Sequence, residues 1–255
     1  DDAGTIVINS VDDYVNKGYD ENILAGTVIA SRNPGTWAND LKVAIIDGKV
    51  DQTLTVNTTG AVVGYGFTQA VPAGTVVPRE GVGAGTTELL DGYFKGIITE
   101  IGTGTLGVKF LSRVSAAGTE TEEDYEASGK YKFGNVASTI LNNSGVLQAT
   151  PTPTANADWF DSQTITTTNG TPINWNQIAE RPGTSAYAAA RNSRFDEVHI
   201  VVIDDDGNLT GNSGTILEKQ LNLSKAKDAE FSAGSSSYWR KFLLNNSDNI
   251  FGLSG

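Results

Sequence analysis

The sequence predicts a β-rich α+β fold in two parts, and three observations predict it. Gly supplies 29 and Thr 28 of the 255 residues, whereas Asp, Glu, Lys and Arg together make only 19%, a mixture that favours strands and turns over long charged surface helices. From about residue 50 to 150, Thr/Val/Gly-rich segments are punctuated by closely spaced turn signals, the texture of a small β-barrel or β-sandwich. Ala149-Thr150-Pro151-Thr152-Pro153-Thr154 then reads as a stiff extended connector. The expected division is therefore 1–50, 51–150 and 151–255.

In chain order, Thr5 to Asn9 reads as a short strand, and a polar stretch to Asn22 precedes a second apolar run, Ile23 to Ala30. Pro34-Gly35 marks a turn and Trp37 a large apolar anchor. Leu41 to Gly48 reads as a strand ended by Asp47-Gly48. In the middle, Gln52–Thr59, Ala61–Thr68, Gly92–Ile101 and Gly107–Ser115 read as strands, and the acidic run 120–124 as a solvated loop. Beyond the connector, Trp159–Thr168 and Ile173–Ala190 are mixed, with a turn at Arg181-Pro182-Gly183 and an Ala-rich helical candidate at Ser185–Arg191. Glu197 to Ile203 is the strongest strand signal, almost continuously apolar as in a buried central strand. It is closed by the turn Asp204 to Asn208. Ser235 to Asn246 predicts an amphipathic helix with Tyr238, Trp239, Phe242 and Leu243 on one face.

A formal charge of −12 and a pI near 4.5 argue against electrostatic binding to nucleic acid or anionic membrane, since both need a basic footprint. No apolar run approaches the ~20 residues needed to span a bilayer. With no Cys there is no disulfide framework, thiol nucleophile or Cys metal site, and the single His, His199, argues against a His-based triad or multi-histidine site. The absence of Met leads us to expect that the sequence is cut from something longer.

Three local patterns invite a functional reading. Gly102-Thr103-Gly104-Thr105-Leu106-Gly107 satisfies G-x-G-x-x-G, but Val108 to Leu111 continues as strand where dinucleotide binding needs a helix, so a hairpin turn is expected. Asp204, Asp206 and Asn208 resemble the start of a calcium loop, yet loop positions six and twelve hold Leu209 and Thr215 in place of Gly and Glu. An Asp-Gly turn is expected there, and His199, inside an apolar strand, is expected to be structural. No catalytic, cofactor or metal residues are assigned, although thirty acidic residues leave a carboxylate pair open.

Two stretches resemble contractile phage tail sheath proteins. Arg32-Asn33-Pro34-Gly35-Thr36-Trp37-Ala38-Asn39-Asp40-Leu41-Lys42-Val43 resembles their N-P-G-x-W-[AG]-N-x-L-x-V segment. Glu197 to Asp204, leading through Gly207 to Gly214-Thr215-Ile216-Leu217-Glu218-Lys219, is similar to their succession of hydrophobic strand, Asp-Gly turn and G-x-[IL]-[LV]-E-K. The order continues through Leu223-Ser224, Lys227-Asp228, Gly234-Ser235, Tyr238-Trp239 and Asn246-Ser247-Asp248-Asn249-Ile250. Trp175 and Pro182 to Ser185 look like the linking segment in sheaths of T4-like cyanophages. The resemblance covers about 1–48 and 157–255 and leaves the middle out.

What the resemblance implies is the outer portion of a sheath subunit, stacked in hexameric rings around the tail tube and contracting during DNA delivery. The flanks would form an α/β domain and the middle an inserted β-barrel-like outer domain. Partners would be neighbouring sheath subunits, the tail tube and the baseplate and neck proteins, reached through a full-length protein whose C-terminal core domain is not in this chain. The location would be the virion tail, assembled in the host cytoplasm. Trp37 and Trp239 are expected as core anchors, and the isolated piece as monomeric or weakly associating. The alternatives are a cell-surface adhesin or S-layer-like β module and a carbohydrate-active enzyme with an acidic cleft; no internal repeat supports the former.

Overall fold

The computed structural model describes residues 8–19, 27–33, 35–72, 76–78, 87–89, 91–122 and 133–253. The first half contains helix α1 (Val11–Asn16) and strands β1 (Ile29–Ser31), β2 (Leu41–Asp47), β3 (Gln52–Thr55), β4 (Gly66–Ala70), β5 (Val76–Pro78), β6 (Thr87–Leu89), β7 (Tyr93–Gly102), β8 (Thr105–Val114) and β9 (Glu120–Glu122). The second half contains β10 (Ser138–Leu141), β11 (Leu147–Ala149), β12 (Ala155–Asp158), β13 (Thr164–Ile165), β14 (Ile173–Asn174), helix α2 (Ala186–Ala189), β15 (Glu197–Asp204), β16 (Thr215–Ser224), β17 (Glu230–Ser232), β18 (Ser235–Ser236), helix α3 (Trp239–Asn246) and β19 (Ile250–Gly252). The protein is thus β-rich, with several sheets and few short helices.

The chain forms two compact units. One comprises Asp1–Asp47, Thr164–Ile173 and Pro182–Gly255, the other Gly48–Gln163 and Asn174–Arg181. The expected boundary at 150 moves because β12, beyond the proline connector, pairs with β3 through Ala155↔Thr55 to Asp158↔Gln52. The connector turns the chain within a unit instead of ending one.

In the second unit eight antiparallel strands form one sheet in the order β11-β10-β4-β7-β8-β3-β12, with β9 added on β8. Alternation sets its buried face: Phe94, Gly96 and Ile98 of β7 point inward while their neighbours face out. Phe67, Leu54, Leu106, Phe110 and Ile140 complete the same core. Phe133 packs edge-on against Phe67 and Phe94, with centroids 5.6 and 5.1 Å apart. Register shifts at Lys95/Gly96 and Ile98/Glu100 bend the long β7–β8 ribbon, and Gly96 lies so close to β8 that a Cβ there would sit 2.5 Å from the Lys109 carbonyl oxygen. Among the described residues β11 and β12 do not pair, so no barrel closes. The acidic run expected as a loop begins as strand β9, where Lys95 pairs with Glu120 at 2.8 Å; Glu123 and Asp124 lie outside the described residues.

In the first unit β15 is the middle of the antiparallel sheet β16-β15-β2, as its apolar run predicts. Val198, Ile200 and Val202 pack under Leu243 of α3 and Ile250 of β19. The helix starts at Trp239, later than the expected Ser235, because Gly234 takes a φ of 82° and turns Ser235–Ser236 back onto β17. The Ala-rich candidate is the single turn α2, capped by Ser185, whose Oγ accepts from Ala188 N–H. Residues 5–7 of the expected first strand and 23–26 of the next run lie outside the described residues. Ile8 and Asn9 are irregular and lead to Ser10, the N-cap of α1. Tyr14 of that helix stacks on Phe251 at 4.8 Å and donates its hydroxyl to the Gly252 carbonyl.

Candidate functional site

Glu218, halfway along β16, is the centre of a polar hub at the C-terminal end of α3. Its Oε2 accepts from the Ser247 hydroxyl at 2.7 Å, and its Oε1 from the N–H groups of Asp248 and Asn249, both at 2.9 Å, and from Asn249 Nδ2 at 2.6 Å. Ser247 Oγ in turn accepts from Ile250 N–H at 3.0 Å. One carboxylate therefore orders the whole turn from α3 into β19. Hydrogen bonds to a charged group are each worth about 1.5–3 kcal/mol, so replacing such a group leaves several donors stranded.

Arg32 meets the same hub from the other motif stretch. Its guanidinium donates to the carbonyls of Leu243 at 3.3 Å, Leu244 at 2.8 Å and Ser247 at 2.5 Å, and its N–H to Asn249 O at 2.7 Å. A cation here answers the unsatisfied carbonyls and the negative end of α3, and the guanidinium lies 4.7 Å over Phe251. Glu218 is the acid of the sheath-like G-x-[IL]-[LV]-E-K stretch; Arg32, Ser247 and Asn249 lie within the other sheath-like runs, with no periodicity to mark them.

The other motif residues do mechanical work nearby or elsewhere in this unit. Gly35 has φ 150°, and a Cβ there would stand 2.8 Å from Trp37 Cδ1, so the indole covers the glycine. Trp37 is half-buried in the 3-10 turn Thr36–Asp40, its ring lying against Gly35. Asn33 and Asn39 are exposed, and Pro34 lies outside the described residues. Leu41 opens β2 opposite Asp204 and, with Leu217 and Trp239, packs on the β15 core. Trp239 is an anchor as expected, its ring filling the space over Gly252. Tyr238, 7% exposed, precedes α3, and Asn246 is exposed at its end, Nδ2 donating to Phe242 O at 2.9 Å.

Asp204 closes the turn after β15 by accepting from donors of the turn itself. Its Oδ1 accepts from Gly207 N–H at 3.0 Å and its Oδ2 from the N–H and hydroxyl of Thr210, both at 2.7 Å. Burial pushes the carboxyl up, but these donors outweigh it and hold it below the usual carboxylate range. Gly207 (φ 91°) and Gly214 (φ 84°) take left-handed conformations, and a Cβ on Gly207 would lie 2.6 Å from Ser213 N. Among the described residues no three His, Cys, Asp or Glu side chains are grouped to hold a metal ion. His199 is 1% exposed, and its Nδ1 accepts from the N–H of Asn222 at 3.0 Å. Asn222, at φ 54°, sits where β16 bulges opposite it. Gly102 to Thr105 is the β7–β8 hairpin turn, and Gly107 lies within β8.

The second unit holds a charge cluster that sequence reasoning missed. Asp51, fully buried, accepts from Lys109 Nζ at 2.9 Å, Arg181 Nη1 at 3.2 Å and Phe110 N–H at 2.7 Å, and Arg181 also pairs with Asp158. Burial pushes the Asp51 carboxyl up against the pull of Lys109 and Arg181. Its members are 58 and 130 positions apart in sequence, so no local motif announces them.

No family model, curated protein or solved structure matches the chain. The arrangement itself must therefore carry the functional reading. In both polar clusters the carboxylates are enclosed by donors of the fold, an arrangement suited to holding segments together. Among the described residues no helix is long and apolar enough to cross a membrane.

Proposed function

We propose that this chain is the outer portion of a contractile phage tail sheath subunit, which polymerises in hexameric rings around the tail tube and moves with the lattice when the tail contracts. The observation that carries the reading is the hub. Two separate sheath-like stretches, one with Arg32 and one running from Glu218 to Ile250, meet in a single hydrogen-bond network. Residues that resemble a family pattern and also hold one another are better support than either stretch alone.

In this reading the unit built from 1–47, 164–173 and 182–255 is the flank domain, and the unit of 48–163 and 174–181 is the variable outer domain, barrel-like although open. The work of such a subunit is mechanical: near-rigid bodies repack between two lattices, the extended one metastable. An acidic surface suits that task by keeping particles soluble and mutually repelling.

Immunogold electron microscopy with antibody raised against residues 1–255 tests the reading on a phage lysate and its host cells. Gold along the length of contractile tails is the expected result. Gold on the cell envelope with bare tails would overturn it and favour a surface β module.

A further inference from the structure

We propose that Asn169 is a site of spontaneous covalent modification, where the folded chain closes a succinimide through the Gly170 amide and hydrolyses it to aspartate and isoaspartate. The chemistry belongs to this loop of the first unit, whatever the chain assembles into.

The first observation is the pairing of residues. Asn169 is the one asparagine of the sequence that is followed by glycine. Closure bends the backbone nitrogen of the next residue back onto the asparagine side chain, and a residue without Cβ opposes this least. Because nucleophile and carbonyl lie on adjacent residues, the attack is intramolecular and needs no second molecule.

The second observation is that the structure leaves both reacting groups available. Asn169 is exposed in the bend 168–170, and among the described residues neither its side-chain amide nor the Gly170 N–H makes a hydrogen bond. The residues before it are tied down: Thr166 O accepts from Lys42 Nζ at 2.6 Å, and Thr168 donates its N–H to Asp205 Oδ1 at 3.0 Å and its hydroxyl to Oδ2 at 2.6 Å. Thr167 Oγ1 is buried against Gly170, where a Cβ would stand 2.4 Å from it. Packing thus imposes glycine at 170, and a larger residue there cannot slow the reaction without moving Thr167.

The third observation is that comparable steps elsewhere are held. Asn143, Asn192 and Asn246 precede serines whose N–H groups are already donated: Ser144 to Asn142 Oδ1 at 3.0 Å, Ser193 to Ala188 O at 2.9 Å and Ser247 to Leu243 O at 3.0 Å. Asn9 and Asn212 also precede serine, whose Cβ opposes closure. Before glycines, Asp206 is followed by a Gly207 N–H donated to Asp204 Oδ1 at 3.0 Å, and Asp47 is paired with Lys225 at 3.2 Å. A donated amide is a poor nucleophile, and an ionised carboxylate is a poor electrophile.

In the reaction the Gly170 nitrogen gives its proton to hydroxide and bonds to Asn169 Cγ. The Cγ–Nδ2 bond breaks, and Nδ2 leaves as ammonia with a proton taken from water. Water then adds to one of the two imide carbonyls: opening at Cγ gives aspartate, opening at the backbone carbonyl gives isoaspartate. The net change is the exchange of one ammonia for one water. Either product places a carboxylate one residue from Thr168, whose partner Asp205 is faced by Lys42 at 3.2 Å. Like charges repel, so the Thr168 anchor loosens as the chain ages.

The test incubates the purified chain in oxygen-18 water at neutral and mildly alkaline pH, folded and in urea, then digests it in ordinary water. Tandem mass spectrometry with electron-transfer fragmentation locates the heavy oxygen and tells aspartate from isoaspartate. In the folded chain the label is expected at residue 169, in both products, ahead of every other asparagine and faster at the higher pH. It should be lost in Asn169→Gln, and the Thr168 amide should exchange faster in aged chain than in aged Asn169→Gln. An unlabelled Asn169 in the folded chain, with label entering there in urea, would overturn the proposal by showing that the fold protects this step. Label entering another asparagine first would overturn it too, and equal Thr168 exchange in the two aged chains would overturn the loosening.

Discussion

Replacing Asp51 by Ala strips from Lys109 and Arg181 the carboxylate they share and leaves Phe110 N–H without its acceptor in the core of the second unit. Lys109 is 5% exposed and the arginine side chain equally covered, so water offers little compensation. Breaking one side of a buried ion pair costs about 3–5 kcal/mol. Arg181 keeps its bond to Asp158, so the lower part of that range is expected. With a urea m-value of about 2 kcal/mol/M, the transition of this unit should move down by about 1.5–2 M, read by hydrogen exchange at the β8 amides. Asp51→Ala/Lys109→Met removes the stranded cation as well and should recover about 1–3 kcal/mol relative to Asp51→Ala alone. A loss under about 0.5 kcal/mol for Asp51→Ala, or strict additivity in the cycle, would refute the argument that the cluster acts as one buried unit.

Other consequences can be checked on the first unit. Glu218→Ala should destabilise it by about 2–4 kcal/mol and expose the 247–250 amides to exchange, since the donors of Ser247, Asp248 and Asn249 lose one acceptor group. Gly35→Ala meets both φ 150° and the Trp37 ring and should cost about 1–3 kcal/mol, seen as a lowered Tm with a shifted tryptophan emission. Asp204 has its folded value below the ordinary 3.8, so its contribution is complete above that value and is lost as pH falls through the folded one. Asp204→Asn should therefore flatten the acid limb of stability below about pH 4, measured by urea titration across pH.

How much was legible beforehand depends on how local each signal is. The run Glu197 to Ile203 identifies the central strand because burial on both faces leaves an almost continuous apolar string, and the G-x-G-x-x-G stretch reads as a hairpin because strand residues follow it. The start of α3 was missed since three serines carry no periodicity and the deciding feature is the φ of Gly234. Strand β12, Ala155-Asn156-Ala157-Asp158, has no strand composition at all and exists because β3 has an edge to offer. The Glu218 hub was half visible: a family-like pattern marked Glu218 and Ser247, while Arg32 acts through geometry between distant stretches. The Asp51 cluster was invisible for the same reason, amplified by length.

The first unit is assembled from three stretches of chain, and this has a consequence for synthesis on the ribosome. Strand β2 ends at Asp47, and its neighbour β15 begins at Glu197. At 5–20 residues per second, the apolar strand Leu41 to Asp47 waits for roughly 8–30 s before its neighbour is made. The second unit, largely continuous from Gly48 to Gln163, emerges in that interval and can begin to fold first. Nascent chains paused before residue 197 should accordingly engage chaperones through β2, and chains that extend well past β15 should not.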